Sequence, residues 1–184
     1  MFIVLGVLAV LALIVISVYN SLVGKRNQVS NIRSGVDTQL KRRFDLIPNL
    51  VATVKQYITH ERELLENISA LRSGIQKAAG DEQRFALNGE LSNLISKLNV
   101  VVENYPELKA NENVMHLQKT LNEIEEQISA ARRAYNAAVT DYNNAVEMFP
   151  SNIVASWARF HKAAFFEMPK GQDDPHDVHE LFNR

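Results

Sequence analysis

The 184-residue sequence contains no cysteine. That excludes disulfides, thiolate zinc sites and a lipid-modified cysteine. It is also poor in turn formers, with seven glycines and five prolines. Leu, Ala, Glu, Lys, Gln and Asn are plentiful instead, a balance that favours helix over sheet. No stretch alternates apolar and polar residues with the period of a strand, so no sheet is expected. The 20 basic and 21 acidic residues leave a formal net charge of −1, without the basic excess of a duplex-binding protein. Nucleic acid is therefore not an expected partner. A phosphate-cradling Gly-x4-Gly-Lys-Ser/Thr loop is missing as well.

One absence is local. Residues 1–24 carry no charge, and every Lys, Arg, Asp and Glu lies after Gly24. From Phe2 to Val18 the run is broken only by Gly6 and Ser17. A helix of about 20 such residues rises roughly 30 Å, the thickness of a bilayer's hydrocarbon core. Tyr19 takes the place of an interfacial aromatic just before Lys25 and Arg26. A cleaved secretory signal would need a basic start, a shorter apolar core and a small-x-small cleavage site. The run fits a retained anchor better. Between Lys25 and Arg43 stand six basic residues (Lys25, Arg26, Arg33, Lys41, Arg42, Arg43) and one acid, Asp37. The positive-inside tendency then predicts a single-pass protein with its N-terminus outside and its domain in the cytoplasm.

Behind the anchor the apolar residues repeat with helical periods. Val114, Leu117, Leu121, Ile124, Ile128, Ala131, Tyr135, Ala138, Tyr142, Ala145 and Phe149 follow alternating steps of three and four, and Pro150 ends the run. A second run starts at Pro48 and reaches Ala78 through Leu50, Val54, Tyr57, Leu64, Ile68, Leu71 and Ile75; Gly80 closes it. A third, from Asp81 to Glu103, offers Leu87, Leu91, Leu94, Leu98 and Val101 before a turn around Tyr105, Pro106 and Asn111. Val29, Ile32, Val36, Leu40 and Phe44 keep a helical period too, so the anchor helix is free to continue into the domain. The expected fold is all-α: an N-terminal transmembrane helix followed by an antiparallel up-and-down bundle of three to four long helices. The expected segments are an anchor at 1–24, a bundle at 25–168 and a polar tail at 169–184.

Asn152 to Met168 is aromatic-rich. Ile153, Trp157, Phe160 and Ala164 share one helical face, which predicts a short helix closing the bundle or lying on a membrane or partner. The candidate contact residues are Trp157, Phe160, Phe165 and Phe166, together with the basic Lys41, Arg42 and Arg43. The basic run reads first as a solvated helix face, and second as a contact for anionic lipid. Tyr135-Asn136 and Tyr142-Asn143 repeat seven residues apart, and core packing is the simplest account of them.

Motifs for chemistry are sparse. His60-Glu61 begins like a metalloprotease helix, but position 64 is Leu and the second imidazole is missing. Asp173, Asp174, His176, Asp177, His179 and Glu180 include metal-ligating types. A loose tail lacks the supporting groups that hold ligands in place, so an acidic tail is the preferred reading. No convergent acid, base and nucleophile is visible, and no catalytic residue, metal or cofactor is expected.

Several stretches carry a resemblance. Tyr19-Asn20-x-Leu22-Val23, Arg26-Asn27, Asp37-x-Gln39-Leu40-Lys41-Arg42-Arg43-x-Asp45-Leu46-Ile47-Pro48-Asn49-Leu50-Val51 and His60-Glu61 occur in that order. They are followed by Tyr105-Pro106-Glu107-Leu108-Lys109-Ala110-Asn111, Ala131-Arg132-Arg133-x-Tyr135-Asn136, Tyr142-Asn143 and Phe149-Pro150-Ser151-Asn152. Together they resemble the LemA family over roughly residues 19–168, with Gly35 standing where a bulkier residue is expected. The resemblance implies a bacterial single-pass protein of the cytoplasmic membrane with an antiparallel helical domain, and implies no catalytic mechanism. The functional expectation is a membrane-anchored scaffold or adaptor that self-assembles through its heptad seam. Its partners would be the bilayer, other copies of itself and an unidentified membrane protein. The alternative is an accessory or regulatory subunit of a membrane protease or sensor complex.

Overall fold

A computed structural model describes residues 1–58 and 61–166. Six helices follow in order: α1 (Phe2–Val54), α2 (Arg62–Lys77), α3 (Asp81–Glu103), α4 (Pro106–Lys109), α5 (Glu112–Glu147) and α6 (Ser151–Trp157). No strand occurs among the described residues. The all-α expectation holds, and the anchor helix does continue into the domain. The described residues form two compact units: Met1–Lys41 with Glu126–Phe165, and Arg42–Glu125 with Phe166.

In the first unit, residues 1–17 of α1 are exposed along their whole length, and burial begins only at Leu22. Leu22, Val29, Val36 and Leu40 are then buried on α1, as are Ile128, Tyr135, Ala138, Val139 and Tyr142 on the α5 stretch of the same unit. On α5 all but Val139 belong to the three-and-four steps predicted for it, with one departure at the end. Phe149 lies past the helix and is exposed.

In the second unit the end of α1, then α2, α3 and the start of α5 run antiparallel. Arg43 pairs with Glu125 while Tyr57 meets Asn111, so α1 and α5 oppose one another. Ser92 meets Glu125 and Asn99 meets Asn122, so α3 and α5 do the same. The core joins Ile47, Leu50, Val54, Leu65, Ile68, Leu91, Ile95, Leu98, Val102, Leu108, Val114 and Leu121. Fully burying each such aliphatic stabilises by about 1.5–3 kcal/mol. Asn111 begins α5 by accepting from the Asn113 and Val114 amides, at 3.0 and 3.2 Å, as an N-cap residue does.

Two boundaries differ from expectation. Pro48 does not begin a helix; it lies inside α1, and the break comes after Val54. Proline removes the N–H that would bond the carbonyl four residues back, here that of Phe44. Arg72 Nε donates to that carbonyl at 3.3 Å, and the Arg72 guanidinium stacks 3.9 Å over the Phe44 ring. A group from α2 thus satisfies the acceptor that Pro48 leaves open, and the helix passes through.

The second difference follows Trp157. Ile153, Trp157, Phe160 and Ala164 do not share one helix, because α6 ends at Trp157. At Arg159 φ is 56°, in the left-handed region. The Phe160 amide donates back to Ala155 O at 2.9 Å and the Arg159 amide to Ser156 O at 3.2 Å. That pairing is a Schellman stop, with arginine in the place where glycine is usual. Beyond it, residues 160–166 leave the helix.

Candidate functional site

The predicted contact residues separate into buried and exposed groups. Lys41 and Arg42 are exposed on α1, but Arg43 is fully buried, at 0% exposure. This corrects the reading of the basic run as one solvated face. Arg43 falls in phase with Val36, Leu40, Ile47, Leu50 and Val54, each three or four residues from the next, so the helix turns it inward. Its Nη1 donates to Glu125 Oε1 at 2.8 Å and to Ser92 Oγ at 2.6 Å; its Nη2 donates to the backbone and side-chain oxygens of Asn88. Ser92 Oγ donates in turn to Glu125 Oε2 at 2.8 Å. Asn88 Nδ2 bonds the Arg84 carbonyl at 2.7 Å, which fixes the amide's orientation. A buried cation is tolerable only when paired and hydrogen-bonded, and this one is held from α3 and α5 together. The Nε is the one guanidinium nitrogen left without a partner. The cluster is a polar lock within the second unit.

The aromatic candidates divide in the same way. Trp157 is exposed at 78% and Phe165 is partly exposed. Phe160 is buried, meeting the Tyr19 ring edge-on at 5.8 Å with the Arg26 guanidinium 5.2 Å over its face. Phe166 is buried and stacks on Phe85 at 4.1 Å.

The Tyr-Asn repeat does more than pack. Asn143 accepts from the Ala163 amide at 2.9 Å and donates to the Ala163 carbonyl at 3.0 Å. This two-point contact imitates a strand partner. Tyr142 Oη donates to His161 O at 2.8 Å, and Tyr135 Oη to Ala164 O at 2.9 Å. Three side chains of α5 therefore satisfy backbone groups of the non-helical 161–164 segment that have no helix to pair within. Lys162 adds an ion pair with Glu147. Burial pushes the Tyr142 hydroxyl above its ordinary value of 10, while the charge of Arg26 draws it the other way. The sequence signal was the repeat itself, but the partners are main-chain atoms about twenty residues or more away, which no side-chain pattern announces.

Open grooves mark the second unit, two of them lined by described apolar residues. One, about 520 Å³, lies between α2 and α3, lined by Leu71, Gly74, Leu87 and Leu94 with Asn67 and Glu90 at its edge. The other, about 500 Å³, is bordered by Val51, Ile58, Leu65 and Arg62. Among the described residues no three His, Asp or Glu side chains gather to hold a metal ion. His60 and the cluster from Asp173 to Glu180 lie outside the described residues. Among the described residues one helix, α1, is long and apolar enough to cross a membrane.

The LemA family model matches residues 32–179. Two relatives from Paramagnetospirillum magneticum, magnetosome proteins MamQ 1 and MamQ 2, are each 27% identical over 97% of this chain and 76% of their own length. Protein LemA of Metamycoplasma hominis is 26% identical over 89% of this chain and 75% of its own.

Proposed function

The chain belongs to the LemA family, and on that premise we propose that it is a non-catalytic scaffold or adaptor, anchored in the bacterial cytoplasmic membrane by α1 with its bundle on the cytoplasmic side. The observation that carries the reading is the division of α1. One unbroken helix is apolar and exposed through residue 17, then turns a regular buried seam into a packed core. An exposed apolar surface of that length is stable against lipid and not against water. The same helix carries the apolar stretch and the start of the packed core, so the domain is tethered to wherever that stretch sits. Alignments covering 97% of this chain cannot leave out the whole apolar stretch, so the likeness to the MamQ relatives extends over it and the bundle together, which supports the reading.

The α5 heptad seam is spent within the chain, but the N-terminal part of α1 is exposed and apolar and offers copies a surface to pack on side by side in the membrane, which makes self-association the expected working state. The test is the particle mass of the full-length protein in mild detergent, by size exclusion with light scattering across a wide concentration range. Large regular assemblies support the scaffold, and a monodisperse monomer at every concentration contradicts self-assembly.

The apolar groove between α2 and α3 favours a second reading, an accessory subunit of a membrane protease or sensor complex. A groove lined by Leu71, Leu87 and Leu94 suits an amphipathic helix from a partner. Recovery of one stoichiometric membrane-protein partner, lost on Leu87→Glu, distinguishes this reading from self-assembly.

A further inference from the structure

Four large apolar side chains stand in solvent where α5 gives way to α6: Met148 and Ile153 at 62% exposure, Phe149 and Trp157 at 78%. The inner side of the same corner is spent on the fold, since Val154, Ala155 and Phe160 are buried. So much apolar surface in ten residues marks a contact with something else.

The position of the corner identifies what that is. Phe160, just beyond the corner, touches both Tyr19 and Arg26. Tyr142, just before it, lies within the field of Arg26. Tyr19 and Arg26 bracket the end of the apolar stretch, where a spanning helix leaves the hydrocarbon. In the antiparallel bundle α5 runs back along α1 toward that end. Phe149 follows Tyr142 by as many residues as separate Tyr19 from Arg26. At a rise of 1.5 Å per residue, the seven residues from Arg26 back to Tyr19 move about 10 Å, and the five from Tyr142 to Glu147, where α5 ends, move about 8 Å the same way, with Phe149 two residues further on. Phe149 therefore comes to the level of Tyr19. Aromatic side chains at that depth, with Lys25, Arg26 and Arg159 close by in the chain or the fold, match the chemistry of a bilayer interface with anionic headgroups.

We propose that the α5–α6 corner, residues 148–157, is a second membrane contact, with Phe149, Ile153 and Trp157 seated in the bilayer interface beside Tyr19. The chain then meets the membrane at two points. The second fixes the rotation and tilt of the bundle, which a single spanning helix leaves free. The proposal rests on α1 spanning the membrane.

Trp157 is the sole tryptophan, so the full-length protein reports on itself. It is reconstituted into phosphatidylcholine–phosphatidylglycerol vesicles, with or without lipid carrying a nitroxide near the headgroup end of the acyl chain. The proposal predicts that the nitroxide lowers Trp157 emission about twofold, as interfacial burial requires. It also predicts that aqueous acrylamide quenches Trp157 weakly and that Phe149→Ser with Ile153→Ser reverses both effects. Free quenching by acrylamide with no response to nitroxide overturns it. So does protection from acrylamide that ignores nitroxide and grows with the protein-to-lipid ratio, which assigns the patch to a second copy. A parallel Tyr19→Trp, Trp157→Phe variant separates the proposal from its premise. If the position-19 probe responds to nitroxide and Trp157 does not, the second contact alone fails. If neither responds, the spanning helix fails and the second contact with it.

Discussion

The Arg72 guanidinium donates to the main-chain oxygen of Phe44 and lies over its ring, closing the gap that Pro48 opens in α1. One long side chain thus answers the missing N–H with a hydrogen bond and adds a cation–π contact. Losing both costs about 1–2 kcal/mol. Arg72→Ala should lower stability by that amount in chemical denaturation of the detergent-solubilised protein. Pro48→Ala restores a donor to Phe44 O, so the same Arg72 substitution should cost less in the Pro48→Ala background. Equal losses in both backgrounds would show that Arg72 acts elsewhere.

Arg43 carries a larger stake. Removing a buried cation and leaving its partners behind costs about 3–5 kcal/mol. Glu125 keeps part of its side chain in water, which places the expected loss for Arg43→Met toward the lower end of that range. Arg43→Met with Glu125→Leu should recover most of the loss, because an apolar pair of similar volume needs no counter-charge. Thermal and denaturant unfolding of the two variants decide it.

The Asn143 contact with Ala163 predicts a local effect. Asn143→Ala removes two hydrogen bonds worth about 0.5–1.5 kcal/mol each, so exchange of the Ala163 amide should accelerate roughly 10- to 100-fold. Exchange in α3 should not change. Asn143→Asp keeps the acceptor but sets a carboxylate against the Ala163 carbonyl, and should not rescue protection.

Tyr142 sets an alkaline limit. Its hydroxyl is raised above its ordinary value of 10 by burial, so the folded state holds this proton more tightly than the unfolded one. The stability it contributes is complete below pH 10 and is lost as pH rises through the folded value. Tyrosinate absorbance should include a group titrating above 10, and Tyr142→Phe should remove it. In that variant the alkaline loss of stability should be shallower.

Arg159 is the remaining test of the chain's path. A side chain at φ 56° carries backbone strain of about 1–2 kcal/mol that glycine escapes. Arg159→Gly should keep the stop after α6 and raise stability by up to about 1 kcal/mol, glycine's greater freedom in the unfolded chain offsetting part of the gain.

Much of the fold was legible because apolar residues keep time with the helix. The α5 seam from Val114 to Ala145 follows its three-and-four steps to the end of the helix, and the continuation of the anchor was visible in Val29, Val36 and Leu40. What escaped were places where a polar group does apolar work or a usual signal is missing. Arg43 sits in the same phase as its apolar neighbours, but counting only apolar residues passes over it, and Lys41 and Arg42 beside it suggest a wet face. Pro48 is a common helix opener, so its place inside α1 depends on Arg72, which lies 24 residues away. The stop at Arg159 has no glycine to announce it, and the helical spacing of Trp157, Phe160 and Ala164 runs straight across it. Of the contact residues, Trp157 and Phe165 are exposed as a contact needs, whereas Phe160 and Phe166 turned inward.

The anchor itself is tested most directly by washing membranes from cells that express the full-length protein with alkaline carbonate. The spanning reading of α1 predicts that the protein stays in the membrane pellet, and that Leu8→Arg with Leu11→Arg moves it to the supernatant while the helical content of the bundle survives. Release of the unaltered protein by carbonate would contradict a spanning α1, and with it the anchored scaffold.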